Sequence, residues 1–292
     1  MSAPRLVLVH RRTQLEELLA EHSTIAAVEF FLSTRGQDVV PLVAADEAQQ
    51  RALAEAANAV PLEWRQAVVE RSQLSRFLFE PDDVVVVVGQ DGLVANVAKY
   101  LGSQVVLGIS PGRPGLLCGH GVADVKRFLS GSAEFRVGER QMVEVRVDDG
   151  QTITALNEIF VGDRSHQSAR YSLAVAGRAE EQSSSGLIVG TGTGATGWLA
   201  SLWMQTRPGF ELPAVDSADL AYFVREAWPS PVTGTSLVAG LVAQDDEVRV
   251  RAQSSLVAFG DGIERDHLRI EWGQELTLRR ASRTLHLIDR SI

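Results

Sequence analysis

Residues 84–102 read "VVVVVGQDGLVANVAKYLG". Five consecutive β-branched residues suit a strand buried on both faces, as in the parallel sheets of α/β proteins. After Gly92 the period changes. Val94, Val97 and Leu101 are spaced three and four apart, and Gly102 supplies a helix stop. The reading is strand, glycine turn, helix, with Asp91 in the turn at the strand's carboxyl end. Open α/β sheets bind ligands at that edge. A carboxylate between two glycines there is not needed for packing. It serves a metal ion, a proton or the cap of the helix.

The flanking segments fit the same scheme. "RLVLVH" (5–10) precedes "TQLEELLAE" (13–21), in which Leu15, Leu18 and Leu19 share a helical face. "DVVPLVAA" (38–45) reads as a strand that Pro41 confines to an edge or a break. Helical patterns follow at 46–60 and 62–79, and "QVVLGIS" (104–110) is a further strand. Such alternation implies a parallel sheet with crossover helices. From about residue 134 the texture differs. "MVEVRVDD" (142–149) alternates apolar with charged residues, and 169–177, 247–253, 268–272, 275–280 and 284–289 read similarly, as strands with one wet face. The segment 204–236 carries four prolines and reads as irregular. The expected fold is therefore an α/β N-terminal domain with a parallel sheet, residues 1–130, and a mostly antiparallel β-rich domain, residues 131–292.

Composition narrows the function. A formal net charge of −9 argues against a nucleic-acid partner but leaves room for a small anion held by backbone N–H groups. Cys118 is the only cysteine, which excludes an intramolecular disulfide and a thiolate metal cage. The six histidines lack ligand spacing, and no zinc, nucleophile-elbow, GxGxxG or P-loop pattern occurs. No metal ligand is assigned. No apolar run approaches membrane-spanning length, and "MSAPRLVLVHRR" lacks the apolar region of a signal peptide. A cytoplasmic protein without a membrane partner is expected.

Four motifs carry the chemistry. Gly89-Gln90-Asp91-Gly92 reads equally as a turn that admits a phosphate or as an ordinary turn with Asp91 as N-cap. Asn157-Glu158 interrupts an apolar run; its side chains suit a ribose diol or base edge, though a plain turn explains the pair more simply. Every residue from 190 to 197 is Gly, Thr or Ala, a composition unlike a packed core. It favours N–H and hydroxyl donors at the start of a helix continuing through "WLASLW" over a flexible linker. Asp261-Gly262 signals a two-residue hairpin turn. The five tryptophans read as core, with Trp198 excepted because it adjoins the threonine run.

In this order and at these separations the motifs resemble the NAD kinase family, which is grouped with the diacylglycerol and sphingosine kinases. The family's Gly-Gly-Asp-Gly-Thr corresponds to Gly89-Gln90-Asp91-Gly92-Leu93, its Asn-Glu pair to Asn157-Glu158, and its late Asp-Gly to Asp261-Gly262. The resemblance spans about residues 84–290. Ser185-Gly186 followed by Thr191-Gly-Thr-Gly-Ala-Thr-Gly-Trp198, with "GRPGLLCGH" and "ALNEIFVGD", is similar to the mitochondrial-type branch.

The resemblance implies a nucleotide-binding first domain and a second that completes a dinucleotide site. It implies transfer of a phosphoryl group from ATP, accompanied by Mg²⁺, to the 2′-hydroxyl of NAD, giving NADP. Asp91 is then the catalytic carboxylate, and Gly89 and Gly92 approach the phosphates. Asn157, Glu158, Thr196, Gly197, Trp198 and Ser201 bind the dinucleotide. A homo-oligomer, dimer or tetramer, follows by the same analogy. Two positions depart from the pattern. Gln90 replaces a glycine, which crowds the phosphates or demands an unfavourable backbone angle, and Leu93 replaces a threonine, which removes a hydroxyl. Two other readings stay open: an NAD(H)-binding protein with altered or lost kinase activity, and a kinase of another hydroxyl compound.

Overall fold

The valine run is a central strand of a parallel sheet in the computed structural model, which describes residues 3–289. The chain divides into two units, one reaching Gly138 and resuming at His286, the other Glu139–Leu285.

In the first unit the chain runs β1 (Arg5–His10), α1 (Gln14–His22), α2 (Ile25–Ser33), α3 (Val40–Asn58), β2 (Arg65–Glu70), β3 (Val84–Val88), α4 (Asp91–Ala98), β4 (Val105–Ile109) and α5 (Ala123–Leu129). The strands lie in the order β2-β1-β3-β4, all parallel, and His286 and Leu287 pair parallel with Val105 and Val106 beyond β4. Val85 to Val88 are fully buried, each contributing about 1.5–3 kcal/mol of apolar transfer. One face packs Val86 and Val88 with Ala52 and Ala56 of α3. Thr13 and Glu16 form a capping box that starts α1, a feature worth about 1 kcal/mol.

Three expectations are corrected here. Residues 38–45 are not a strand: Pro41 occupies the first turn of α3, where its missing N–H costs nothing and its fixed φ suits a helix. Residues 62–79 are not one helix. Arg65–Glu70 pairs with the whole of β1, and a 3-10 turn, Arg71–Arg76, follows. The adjacent β-branched Val68 and Val69 favour the strand, against the helical spacing of the leucines. Finally, α4 ends at Ala98, with Lys99 as its C-cap, one turn before Gly102.

The second unit contains most of β5 (Val137–Val147), β6 (Thr152–Ala155), β7 (Glu158–Gly162), β8 (Ala169–Val175), β9 (Arg178–Ser184), β10 (Leu187–Gly190), α6 (Trp198–Thr206), β11 (Leu220–Val224), β12 (Ala239–Val242), β13 (Val248–Ala252), β14 (Leu256–Gly260), β15 (His267–Ile270) and most of β16 (Glu275–Ile288). One sheet holds β16, β13, β8 and β9 with β5 and β6 alongside. The other is antiparallel throughout, in the order β12-β11-β10-β7-β14-β15. Strand alternation sorts its side chains. Ile159, Val161, Leu187 and Val189 join a core with Tyr171, Leu173, Val248 and Val250, while Phe160, Ile188 and Phe223 face the other way and are covered by Leu199 and Leu202 of α6. Residues 275–280 and 284–289 prove to be parts of the single strand β16, and the proline-rich segment contains the fully buried β11.

Candidate functional site

In the first unit α4 begins directly on Asp91, so Gln90, not Asp91, is its N-cap. Gln90 has φ −115° and ψ 163°, ordinary extended backbone, and its side chain is exposed without a capping hydrogen bond. The glutamine therefore imposes no strained angle, contrary to one sequence expectation. Gly89 donates its N–H to Ile109 O at 2.9 Å, within the sheet, and a Cβ there would lie 3.1 Å from Leu93 Cδ2. Gly92 sits exposed in the first turn, with open space at its Cβ position. Leu93 is 2% exposed and points inward over Gly89.

The Asp91 carboxylate accepts three backbone N–H groups from the loop after β4. Leu116 donates to Oδ2 at 2.8 Å, while Leu117 and Cys118 donate to Oδ1 at 3.0 and 2.8 Å. Burial, reinforced by the Asp91 charge, pushes the Cys118 thiol up to about 12, which removes thiolate chemistry beside this carboxylate.

In the second unit Asn157 and Glu158 sit at the start of β7. Asn157 O accepts the Thr191 N–H at 2.9 Å, and Thr191 Oγ1 donates to Leu156 O at 2.6 Å. The same hydroxyl accepts the N–H groups of Thr193 and Gly194 at 3.1 and 3.2 Å. Thr191 to Gly194 are thus buried, with the Thr191 hydroxyl and the Thr193 and Gly194 N–H groups bonded and Thr193 Oγ1 left without a partner, a correction to the expectation of a donor-rich surface. Small residues are needed because backbone meets backbone: a Cβ on Gly194 would lie 2.3 Å from Asn157 O, and one on Gly190 2.8 Å from it. Glu158 is 8% exposed. Burial first, then the charge of Asp261, raises its carboxyl to about 7.

Thr196, Gly197, Trp198 and Ser201 gather at the start of α6. Thr196 is exposed, its hydroxyl donating to Thr193 O at 2.8 Å; Gly197 is the N-cap, and Ser201, also exposed, lies one turn on. Trp198 stacks on Phe160 with centroids 6.2 Å apart, and the Arg225 guanidinium lies 5.7 Å from the Trp198 ring centre. These three side chains help line a pocket of about 450 Å³ on the outer face of the second sheet.

Sequence reasoning passes over two contributors. Asp261, read as a hairpin turn residue, accepts the N–H groups of Leu156 and Asn157 at 3.0 and 2.7 Å. It does lie in a tight turn, closed by Ile263 N–H to Gly260 O at 3.0 Å, but six residues, 261–266, separate β14 from β15. The other is the Gly115–Cys118 loop, whose backbone role no side-chain pattern advertises.

Mg²⁺ is implied by the resemblance. Among the described residues no three His, Cys, Asp or Glu side chains are grouped to hold a metal. The residues present do not fit a protein-held Mg²⁺, and none is assigned. No helix among the described residues is long and apolar enough to cross a membrane.

The chain thus combines a parallel α/β unit, with a glycine-flanked carboxylate at its strand ends where open α/β sheets bind ligands, and a β-rich unit. No family model matches the chain. Curated proteins do. It is 26% identical to the NAD kinase of Chloroherpeton thalassium over 223 residues, 72% of this chain and 74% of that one. It is 31% identical to the NAD kinase of Methanocorpusculum labreanum over 128 residues, 41% of this chain and 45% of the relative. It is 35% identical to that of Burkholderia multivorans over 130 residues, 41% and 43% of the two chains. The alignments with these last two relatives thus span under half of each relative's length. The chain is thus similar to NAD kinases, over most of its length at 26% identity and over shorter stretches at 31–35%.

Proposed function

We propose that the protein transfers the terminal phosphoryl group of ATP to the 2′-hydroxyl of the adenosine ribose in NAD, giving NADP. The observation that carries this reading is the Asp91 carboxylate, fixed at the first residue of α4 on the carboxyl edge of a parallel sheet. In the reaction the 2′-oxygen attacks the terminal phosphorus, the bond to the ADP oxygen breaks, and the hydroxyl proton passes to Asp91. Gly92 gives the phosphates a surface free of side chains, while Gly89, buried with Leu93 packed over it, shapes the turn beneath them. Asn157 and Glu158 take the dinucleotide's polar groups, and Thr196, Gly197, Trp198 and Ser201 line its pocket. Mg²⁺ enters with the triphosphate as part of the substrate. Family analogy adds a cytoplasmic homo-oligomer, which light scattering on the purified protein tests.

A second reading is favoured by Leu93, which is turned into the core where the family motif carries a hydroxyl. It is an NAD(H)-binding protein with altered or lost phosphoryl transfer. A coupled assay for NADP, with NAD, ATP and Mg²⁺, separates the two. NADP formation that falls by about 10²–10⁴-fold in Asp91→Asn supports the kinase. NAD binding by calorimetry without NADP formation supports the second reading. Turnover undiminished in Asp91→Asn overturns the role of Asp91.

A further inference from the structure

We propose that the Gly115–Cys118 segment is a backbone cradle that positions Asp91, that Gly115 is a positioning residue for phosphoryl transfer, and that Oδ2 is the oxygen left to receive the proton. This rests on the kinase reading above. Three successive N–H groups, of Leu116, Leu117 and Cys118, converge on one carboxylate. Such consecutive donors form an anion-binding nest, and charge-assisted bonds of this kind hold a carboxylate in one orientation. The division between the two oxygens is unequal. Oδ1 accepts two N–H groups at 3.0 and 2.8 Å, filling both of its lone-pair directions, whereas Oδ2 accepts one at 2.8 Å. Oδ2 keeps an acceptor direction, so it is the atom that can meet a sugar hydroxyl.

Glycine is required at two places for this cradle to close. A Cβ on Gly115 would sit 2.2 Å from Asp91 Oδ1 and 2.6 Å from its Cγ. A Cβ on Gly108, within β4, would sit 2.0 Å from Leu117 O. Both distances lie far inside van der Waals contact, and at Gly108 the obstruction is backbone, which has nowhere to retreat. The segment itself is anchored. Gly115 N–H donates to Cys118 O at 3.1 Å, closing a turn, and His120 N–H donates to Gly108 O at 3.1 Å. Leu117 and Cys118 are 3% and 1% exposed, so their side chains hold the segment down while its N–H groups face the carboxylate. A general base must be held within hydrogen-bond reach of the proton it takes, and small displacements are expensive in rate.

The test compares Gly115→Ala in two backgrounds, wild type and Asp91→Ala. In the wild type the added methyl group drives the carboxylate out of the cradle; kcat for NADP formation falls at least tenfold while the KM for NAD stays within twofold. In Asp91→Ala the obstruction is gone, so Gly115→Ala lowers the residual rate no further and shifts the urea midpoint far less than in the wild type. Gly112→Ala, in the same loop with open space at its Cβ position, leaves both quantities unchanged. Wild-type kcat in Gly115→Ala overturns the proposal, as does an equal urea shift in both backgrounds. Should the wild type form no NADP, the kinase reading and with it the Oδ2 role fall, while a background-dependent urea shift still establishes the cradle.

Discussion

The backbone N–H of Asn157 donates to Oδ1 of Asp261 at 2.7 Å, joining positions 104 residues apart. Oδ2 of the same carboxylate takes the Leu156 N–H at 3.0 Å. Asp261 reaches them from a turn in which it has φ 53° and Gly262 φ 67°, angles that Asp and Gly accept more readily than most residues.

Asp261→Ala therefore strips the acceptor from two partly buried donors and should cost about 1–3 kcal/mol in urea unfolding. NAD affinity should fall with it, because the Asn157 backbone loses its tether. Asp261→Asn keeps one acceptor oxygen and the tolerance for positive φ, so its cost should be smaller. Calorimetry and unfolding that rank alanine and asparagine equally would show that the Asp261 carboxylate tethers nothing that matters.

Glu158 gives a pH prediction with a definite sign. Its carboxyl is raised from 4.5 to about 7 by burial and by Asp261, so the folded protein keeps a proton that the unfolded chain releases. That contribution is complete below about pH 4.5, declines as pH rises towards about 7 and is lost above it. The size is about 3 kcal/mol, since raising a carboxyl by one pH unit corresponds to about 1.36 kcal/mol. Glu158→Gln should be more stable than the wild type at about pH 8 and should lose the difference at about pH 5. Parallel unfolding curves for the two proteins at both values check this; a difference independent of pH refutes it.

The glycines of the threonine run should divide into two kinds. Gly194→Ala brings a Cβ within 2.3 Å of Asn157 O, so it should displace Asn157 and weaken NAD binding at least tenfold. For Gly197→Ala the nearest atom to the new Cβ is 3.8 Å away, ordinary contact, and affinity should change less than threefold. Calorimetric titration of both variants with NAD decides the matter, and equal affinities would show that crowding against Asn157 is irrelevant to binding.

Sequence reading finds what periodicity encodes. The valine strand, its helix and the alternating strands of the second unit announce themselves because each buried face repeats at its own period. It fails where context overrides local preference: Pro41 stands inside a helix start, and Arg65–Glu70 is recruited as a strand by β1. At the candidate site, motif residues are legible because their types are unusual for packing. The partners of Asp91 are not, since the donors are backbone N–H groups, identical in every residue but proline, and only the fold selects three of them. The glycines between 190 and 194 are legible as glycines, but their purpose is not. They admit backbone, chiefly Asn157, where a donor surface is expected from composition.

The two departures from the family motif should behave differently when reversed. Gln90 is exposed, extended and makes no capping bond, so Gln90→Gly should alter stability by less than about 0.5 kcal/mol while opening space beside Gly92. If the glutamine side chain narrows the approach of the donor's phosphates, the KM for ATP should fall severalfold. Leu93 is buried at 2% exposure over Gly89. Leu93→Thr removes buried methyl groups and introduces a hydroxyl without a designated partner, a change that should cost about 2–4 kcal/mol. Because the side chain points into the core, the restored hydroxyl should not lower the KM for ATP. Steady-state kinetics over a range of ATP concentrations, with unfolding curves for each variant, test both. Recovery of ATP affinity by Leu93→Thr, with Gln90→Gly silent, would mean that position 93 turns outward when nucleotide binds and that its packing against Gly89 is broken in the working enzyme.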